Sequence, residues 1–112
     1  MAITKNNSNV KNDRSTLNLT GATIQAAYQL SDTLITFTLN IPGASFRGMR
    51  LVEKKAGGYF IAVPQNKGKD EKYHDLFVVY LSDADEKRVI NAVLNHFTAR
   101  DEKRDFTTRY EV

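Results

Sequence analysis

The clearest pattern in the chain is an alternation of apolar and mostly polar residues over positions 34–41. Apolar side chains occupy every second position, at Ile35, Phe37, Leu39 and Ile41. Successive side chains of a strand point to opposite faces of its sheet, so this period of two predicts a strand with one buried face. Pro42 and Gly43 follow it, and this pair predicts a turn.

Three other segments have the β-branched and aromatic composition of strands. They are residues 17–30, 46–52 and 59–63. Gly21 in the first segment predicts a bulge or a close approach of another backbone, because glycine has no side chain to pack. Gly57 and Gly58 precede the third segment and predict a turn, since glycine takes positive φ without steric penalty.

A fifth strand is predicted at residues 73–81, which include the longest apolar run of the chain. Because apolar residues fill successive positions there, the run predicts a central strand that is buried on both faces. Pro64 lacks an amide donor and ends the preceding strand. Residues 65–72 contain Gly68 and alternating charges, which predict a solvent-exposed loop.

A helix is predicted to begin after Ser82. Ser82 and Asp85 have the spacing of a helix cap, and acidic residues fill the first turn, where the helix dipole favours negative charge. An apolar stripe at helical spacing is predicted to pack on the sheet; it consists of Ile90, Val93, Leu94 and Phe97. The elements together predict an α+β fold, a small antiparallel sheet of about five strands with one C-terminal helix packed on it.

The length of 112 residues corresponds to one domain. Residues 1–16 are polar and predict a flexible arm, residues 17–104 a single α+β domain, and residues 105–112 a C-terminal tail. Residues 1–16 also lack the apolar core of a signal peptide, and no stretch approaches the roughly 20 apolar residues of a membrane span. We therefore expect a cytoplasmic protein that does not enter membranes.

Composition removes several classes of protein. The chain has no cysteine, which excludes disulfide scaffolds, thiolate zinc sites and cysteine nucleophiles. Sixteen Lys and Arg residues against thirteen Asp and Glu residues give a net charge of +3. This mild excess permits a polyanionic partner without requiring one.

Enzyme chemistry has little support in the sequence. His74 and His96 are the only histidines, and His74 and Asp75 are adjacent on a predicted strand, so their side chains point to opposite faces. Residues 43–47 lack the closing glycine of a nucleophile elbow, and no glycine loop is followed by a phosphate-binding lysine. We therefore predict a non-enzymatic protein with no metal, cofactor or small-molecule substrate.

The strongest charge asymmetry lies between positions 46 and 58. Glu53 is the only acid there, against four basic residues: Arg47, Arg50, Lys54 and Lys55. Such a basic hairpin can neutralise phosphates, and Tyr59 or Phe60 can stack on a base, although alternation places only one of the two on the open face of a sheet. The alternative is that the aromatic residues belong to the core and the basic residues keep a sheet edge soluble.

Several short motifs, in order, resemble the SpoVG (stage V sporulation protein G) family. They are Met49-Arg50-Leu51-Val52, Gly58-Tyr59-Phe60-Ile61-Ala62-Val63-Pro64, Tyr73-His74-Asp75-Leu76 and Ala92-Val93-Leu94-Asn95-His96-Phe97. The resemblance covers residues 17–97, and it implies a small antiparallel sheet with one packed helix, a dimer, and nucleic-acid binding without catalysis. The chain departs from the family in its longer polar arm, at residues 77–81 before the helix, and in fewer basic residues around the helix.

The sequence thus predicts a homodimer that binds nucleic acid through the basic hairpin, with DNA favoured over RNA and single-stranded DNA favoured most. The predicted site comprises Arg47, Arg50, Lys54, Lys55, Tyr59 and Phe60. A sequence-selective regulator on duplex DNA and a protein-interaction adaptor are the alternatives. Other basic residues are the alternative site, namely Lys5, Lys11, Arg14, Arg100, Lys103, Arg104 and Arg109.

Overall fold

The computed structural model describes residues 15–97 and 107–112, and within them it has seven strands and one helix. In chain order these elements are β1 (Thr23–Ser31), β2 (Leu34–Ile41), β3 (Ala44–Glu53), β4 (Tyr59–Ala62), β5 (Gln65–Lys67), β6 (Tyr73–Asp75), α1 (Asp83–His96) and β7 (Tyr110–Glu111). Five strands form one antiparallel sheet in the order β4-β3-β2-β1-β7, and β5 pairs with β6 in a separate hairpin. The predicted α+β fold, a five-stranded antiparallel sheet with one packed helix, is confirmed.

Strand β2 lies in the middle of the sheet, and its alternating apolar side chains form a buried face, as predicted. Ile35, Phe37 and Leu39 are buried, with exposed fractions of 7%, 1% and 0%. β1 and β3 pair with the two edges of β2, so its backbone is hydrogen-bonded on both sides. The turn after β2 contains Gly43 at a φ of 89°, which confirms the predicted turn.

Helix α1 covers one face of the sheet and completes the core. The Ser82 hydroxyl accepts a hydrogen bond from the Asp85 amide at 3.1 Å, so the predicted cap is confirmed. Val93 is fully buried as predicted, but the other two buried positions of the helix are Val89 and Ala92. The predicted stripe is therefore rotated: its other members, Ile90, Leu94 and Phe97, are half-buried at the side of the contact.

Strand β1 begins later than the sequence predicts. Gly21 lies in the turn before the strand at a φ of 74°, and a Cβ there would meet only the Pro42 ring at an ordinary contact distance of 3.5 Å, so neither the predicted bulge nor a close backbone approach is found at Gly21. The bulge of β1 lies further along, between Gln25 and Tyr28, where Ala26 has a φ of 54°.

The predicted central strand at residues 73–81 is wrong. The hairpin β5–β6 forms instead, from residues 65–67 paired with residues 73–75, and both of its strands are exposed. The sequence assigns residues 65–67 to a loop. This hairpin returns the chain to Pro64, whose carbonyl accepts a hydrogen bond from the Leu76 amide at 2.9 Å. Residues 76–81 therefore do not join the sheet as a strand.

The fifth strand of the sheet is β7, from the segment that the sequence assigns to a C-terminal tail. Tyr110 pairs with Ile24 of β1, and its ring stacks on the His96 ring with centroids 4.6 Å apart. A strand of two residues is too short to produce a detectable alternation, which explains why the sequence gives no sign of it.

Candidate nucleic-acid interface

The sheet has a second face, opposite the helix. Because Ile35, Phe37 and Leu39 point into the core, the residues between them point the other way. The strand register then assigns the same orientation to partners on β3 and β4. We call this the open face, and its members on these three strands are Leu34, Thr36, Thr38, Asn40, Ser45, Arg47, Arg50, Val52, Phe60 and Ala62.

A bulge in β3 brings two arginines to the open face. In an unbroken strand, residues 47 and 50 would point to opposite faces because they are three positions apart. Phe37 pairs with Met49 and Leu39 pairs with Phe46, so Arg47 and Gly48 together stand opposite Thr38. The extra residue reverses the alternation, and Arg47 therefore shares the open face with Arg50. Gly48, at a φ of 76°, provides the backbone conformation that this bulge uses.

The two predicted stacking residues lie on opposite faces of the sheet. Phe60 pairs with Val52 on the open face and is 39% exposed. Tyr59 points to the helix side, where it lines a cavity together with Leu94 and Phe97. The structure thus places Phe60 on the same face as Arg47 and Arg50 and places Tyr59 beside the core.

The predicted phosphate ligands have no counter-ion in the described part of the chain. Arg47, Lys54 and Lys55 are exposed, and the ion pairs of the described residues lie in the β5–β6 hairpin and on α1. Glu53 is the one acid in β2, β3 and β4, and it pairs with Tyr59 on the helix side. The open face across these three strands therefore carries positive charge without a carboxylate.

Arg50 differs from the other three basic residues because it is half-buried. Its Nη2 donates a hydrogen bond to the Val63 carbonyl at 3.0 Å, which fixes the guanidinium beside the end of β4. Its Nε is shielded from solvent and has no hydrogen-bond partner. Burial weakens the hydration of this charge, so an anion near it is worth more than at an exposed lysine.

Arg50 lines a cleft between the open face and the β5–β6 hairpin. The volume of the cleft is about 470 Å³, and its lining residues are Thr36, Gly48, Arg50, Pro64, Gln65 and Tyr73. Tyr73 is 65% exposed. The sequence does not identify Thr36, Gln65 or Tyr73 as site residues, because its pattern assigns Gln65 to a loop and Tyr73 to a central strand. Their position depends on the fold of the hairpin, for which the sequence offers no clear signal.

The histidines have structural contacts. His74 Nε2 lies 3.0 Å from Asp70 Oδ1. This contact is the main cause that lowers the pKa of the Asp70 carboxyl group, and the hydrogen bond from the Lys72 amide lowers the pKa further. His74 and Asp75 do not pair, since Asp75 accepts a hydrogen bond from Gln65 instead. Within residues 15–97 and 107–112, no cluster of three or more His, Asp and Glu side chains is placed to hold a metal ion.

The alternative basic residues fall mostly outside the described part of the chain. These are Lys5, Lys11, Arg14, Arg100, Lys103 and Arg104. Arg109 is described and is exposed beside β7.

Where the chain is described, its helix is too short and too polar to cross a bilayer. The sequence matches no protein-family model and no curated protein, and the fold matches no solved structure.

Proposed function

We propose that this protein binds single-stranded DNA without catalysis, through the open face and the basic hairpin that borders it. The observation that carries the proposal is the coincidence of unpaired positive charge with an exposed ring. Arg47 and Arg50 lie on the same face as Phe60, and no carboxylate from β2, β3 or β4 shares that face. The resemblance of the sequence to the SpoVG family implies the same kind of activity.

The proposed site makes two kinds of contact with a single strand, neutralisation of phosphates and stacking on a base. Arg47, Lys54 and Lys55 extend into solvent, where they can neutralise successive phosphates of a flexible strand. Phe60 offers a ring on which an unpaired base can stack, and this contact is tolerant of sequence because every base has a π-face. In a duplex the faces of the bases are covered by their neighbours, so a stacking ring favours single strands.

We also propose that the protein acts as a homodimer in the cytoplasm. Among the described residues, β4 is an edge of the sheet, and a short row of exposed apolar side chains, Leu76 and Val78, begins where the Leu76 amide bonds the Pro64 carbonyl just after β4. A small sheet with an unpaired edge and an exposed apolar row gains stability from symmetric pairing. Sedimentation equilibrium at micromolar concentration should give a dimer mass, and the variant Leu76→Ser/Val78→Ser should shift it towards the monomer. A parent protein of monomer mass would contradict this part.

Binding is tested by titrating fluorescently labelled oligo(dT), a matched duplex and an RNA strand over a series of salt concentrations. The variant Arg47→Ala/Lys54→Ala/Lys55→Ala should bind oligo(dT) more weakly. For this variant, the slope of log affinity against log salt concentration should become shallower by about 0.7 for each phosphate that is no longer neutralised. These residues are exposed, so their removal should leave thermal stability nearly unchanged.

The matched control is Lys69→Ala/Lys72→Ala/Lys87→Ala, which removes three positive charges from other exposed positions. It should retain the affinity and salt slope of the parent. A strong preference among duplex sequences would instead indicate a transcription regulator, and the absence of salt-sensitive binding to any polynucleotide would indicate an adaptor. Parent-like binding by the hairpin variant would remove the basic hairpin from the site.

A further inference from the structure

The cleft beside Arg50 combines three features of a small ligand site. It is an open groove that a strand can enter, its volume of about 470 Å³ falls in the range of such sites, roughly 300 to 1,000 Å³, and it brings together a cation, an aromatic ring and neutral polar groups. None of its six lining residues carries a carboxylate. The cleft is therefore suited to a planar group attached to an anion.

Arg50 supplies the anion site. A half-buried guanidinium is usually paired with a carboxylate, but Arg50 bonds only the Val63 carbonyl within the described residues. That bond fixes the plane of the group, while the remaining Nη hydrogens are free to donate. A fixed guanidinium binds phosphate oxygens with little loss of side-chain entropy, which a flexible lysine cannot match.

Tyr73 supplies the aromatic ring of the cleft. It lies on β6, where its backbone pairs with Lys67 of β5, so the hairpin sets its position relative to the sheet. Gln65 is fixed in the same hairpin, because its amide donates to Asp75 at 2.7 Å. With 65% of its surface exposed, the Tyr73 side chain is available to a planar ligand.

We propose that this cleft holds one nucleotide of the bound single strand, with its phosphate on Arg50 and its base against the ring of Tyr73. This inference rests on the proposed function and adds a specific subsite to it. The cleft opens on the same face as Phe60, since Arg50 pairs with Ala62 and Phe60 lies two residues earlier on β4. One strand can therefore place one base on Phe60 and another in the cleft.

The test measures the binding of labelled oligo(dT) and of an abasic deoxyribose-phosphate strand to the parent and its variants. Tyr73→Ala should weaken oligo(dT) binding roughly 5- to 150-fold without changing the salt slope. It should leave binding of the abasic strand unchanged, because that strand has no base to stack. Tyr73→Phe should bind like the parent, because it keeps the ring on which the base stacks.

Arg50→Gln should weaken both strands and flatten the salt slope by about 0.7, as expected when one phosphate is no longer neutralised. Because Arg50 also bonds Val63, the melting temperature of this variant is measured alongside, and the exposed Tyr73 variants give an independent answer if it unfolds. If the parent binds oligo(dT) but Tyr73→Ala binds it equally well, the cleft is not a subsite and the proposed function stands. If the parent binds no polynucleotide, both proposals fail.

Discussion

Strand β2 and the segment 76–81 are both rich in large apolar residues, yet the fold treats them differently. Phe37 and Leu39 of β2 are 1% and 0% exposed, whereas Leu76 and Val78 are 54% and 59% exposed. Strand β2 has a strand on each side and a helix over one face. Within the described residues, segment 76–81 pairs with no strand and no helix lies over it. Two of its backbone hydrogen bonds, from Leu76 to Pro64 and from Leu17 to Tyr80, join it to irregular parts of the chain.

The difference shows that hydrophobicity predicts burial only where the pattern also specifies a face. In segment 76–81 alternate residues still differ in burial. Phe77, Val79 and Leu81 pack against the core, while the residues between them are exposed. Phe77 lies on Phe46 with ring centroids 5.6 Å apart. The segment thus covers the side of the core as an extended chain, with Leu76 and Val78 more than half exposed.

The largest effect that separates these regions is on stability. Phe37→Ala should lower the free energy of unfolding by about 3 to 5 kcal/mol, since it removes a buried ring and leaves a cavity. Leu76→Ala should change the stability of the folded monomer by less than about 0.5 kcal/mol, because the side chain is exposed within one chain, and any larger loss should depend on protein concentration, as the proposed dimer requires. Chemical denaturation of both variants measures this contrast. Equal losses would mean that segment 76–81 is buried in solution.

The predictable part of the fold is the part where local pattern and burial agree. The alternation of β2, the turn at Pro42 and Gly43, and the Ser82 cap all depend on neighbouring residues, and all three are confirmed. The register of the β5–β6 hairpin and the pairing of β7 with β1 depend on contacts between distant residues. A single sequence contains little information on such contacts.

The same distinction applies to the candidate site. A count of charges is enough to find the basic hairpin, and alternation is enough to show that only one of Tyr59 and Phe60 reaches the open face. The bulge that places Arg47 beside Arg50 is not evident from composition, although Gly48 is a signal consistent with it. Tyr73 joins Arg50 only through the fold of the hairpin, so sequence patterns alone do not indicate its role.

Glycine substitutions should give a smaller contrast between the two regions. Gly48→Ala places a side chain at a φ of 76° within the main sheet, where such a residue is strained, and it should cost about 1 to 2 kcal/mol of global stability. Gly68→Ala would put a Cβ 2.8 Å from both Asp70 Oδ1 and a His74 ring carbon. Both side chains are exposed, so the shift weakens the contact between them without reaching the main sheet. That variant should therefore disturb the hairpin locally and leave the global transition nearly unchanged.

Thermal unfolding followed by circular dichroism measures the global cost of each variant, and amide hydrogen exchange at Gly68 and Lys72 measures the local one. We expect the exchange of these two amides to increase in Gly68→Ala while β2 amides keep the protection of the parent. A shift of the melting temperature by Gly68→Ala as large as that by Gly48→Ala would show that the hairpin and the sheet unfold as one unit.

The smallest effect concerns the titration of Asp70 in the hairpin. The contact with His74 and the amide of Lys72 stabilise the ionised carboxylate, so the pKa of Asp70 lies below its ordinary value of 3.8. A lowered pKa means that the carboxylate supports the hairpin above pH 3.8 and that this support is lost as the pH falls through the lowered value. The amide resonance of Lys72 should therefore titrate with a midpoint below 3.8, while β2 amides should not change. Asp70→Asn should remove this step, and His74→Ala should move its midpoint up towards 3.8; a midpoint that is unchanged in His74→Ala would show that the pair does not form in solution.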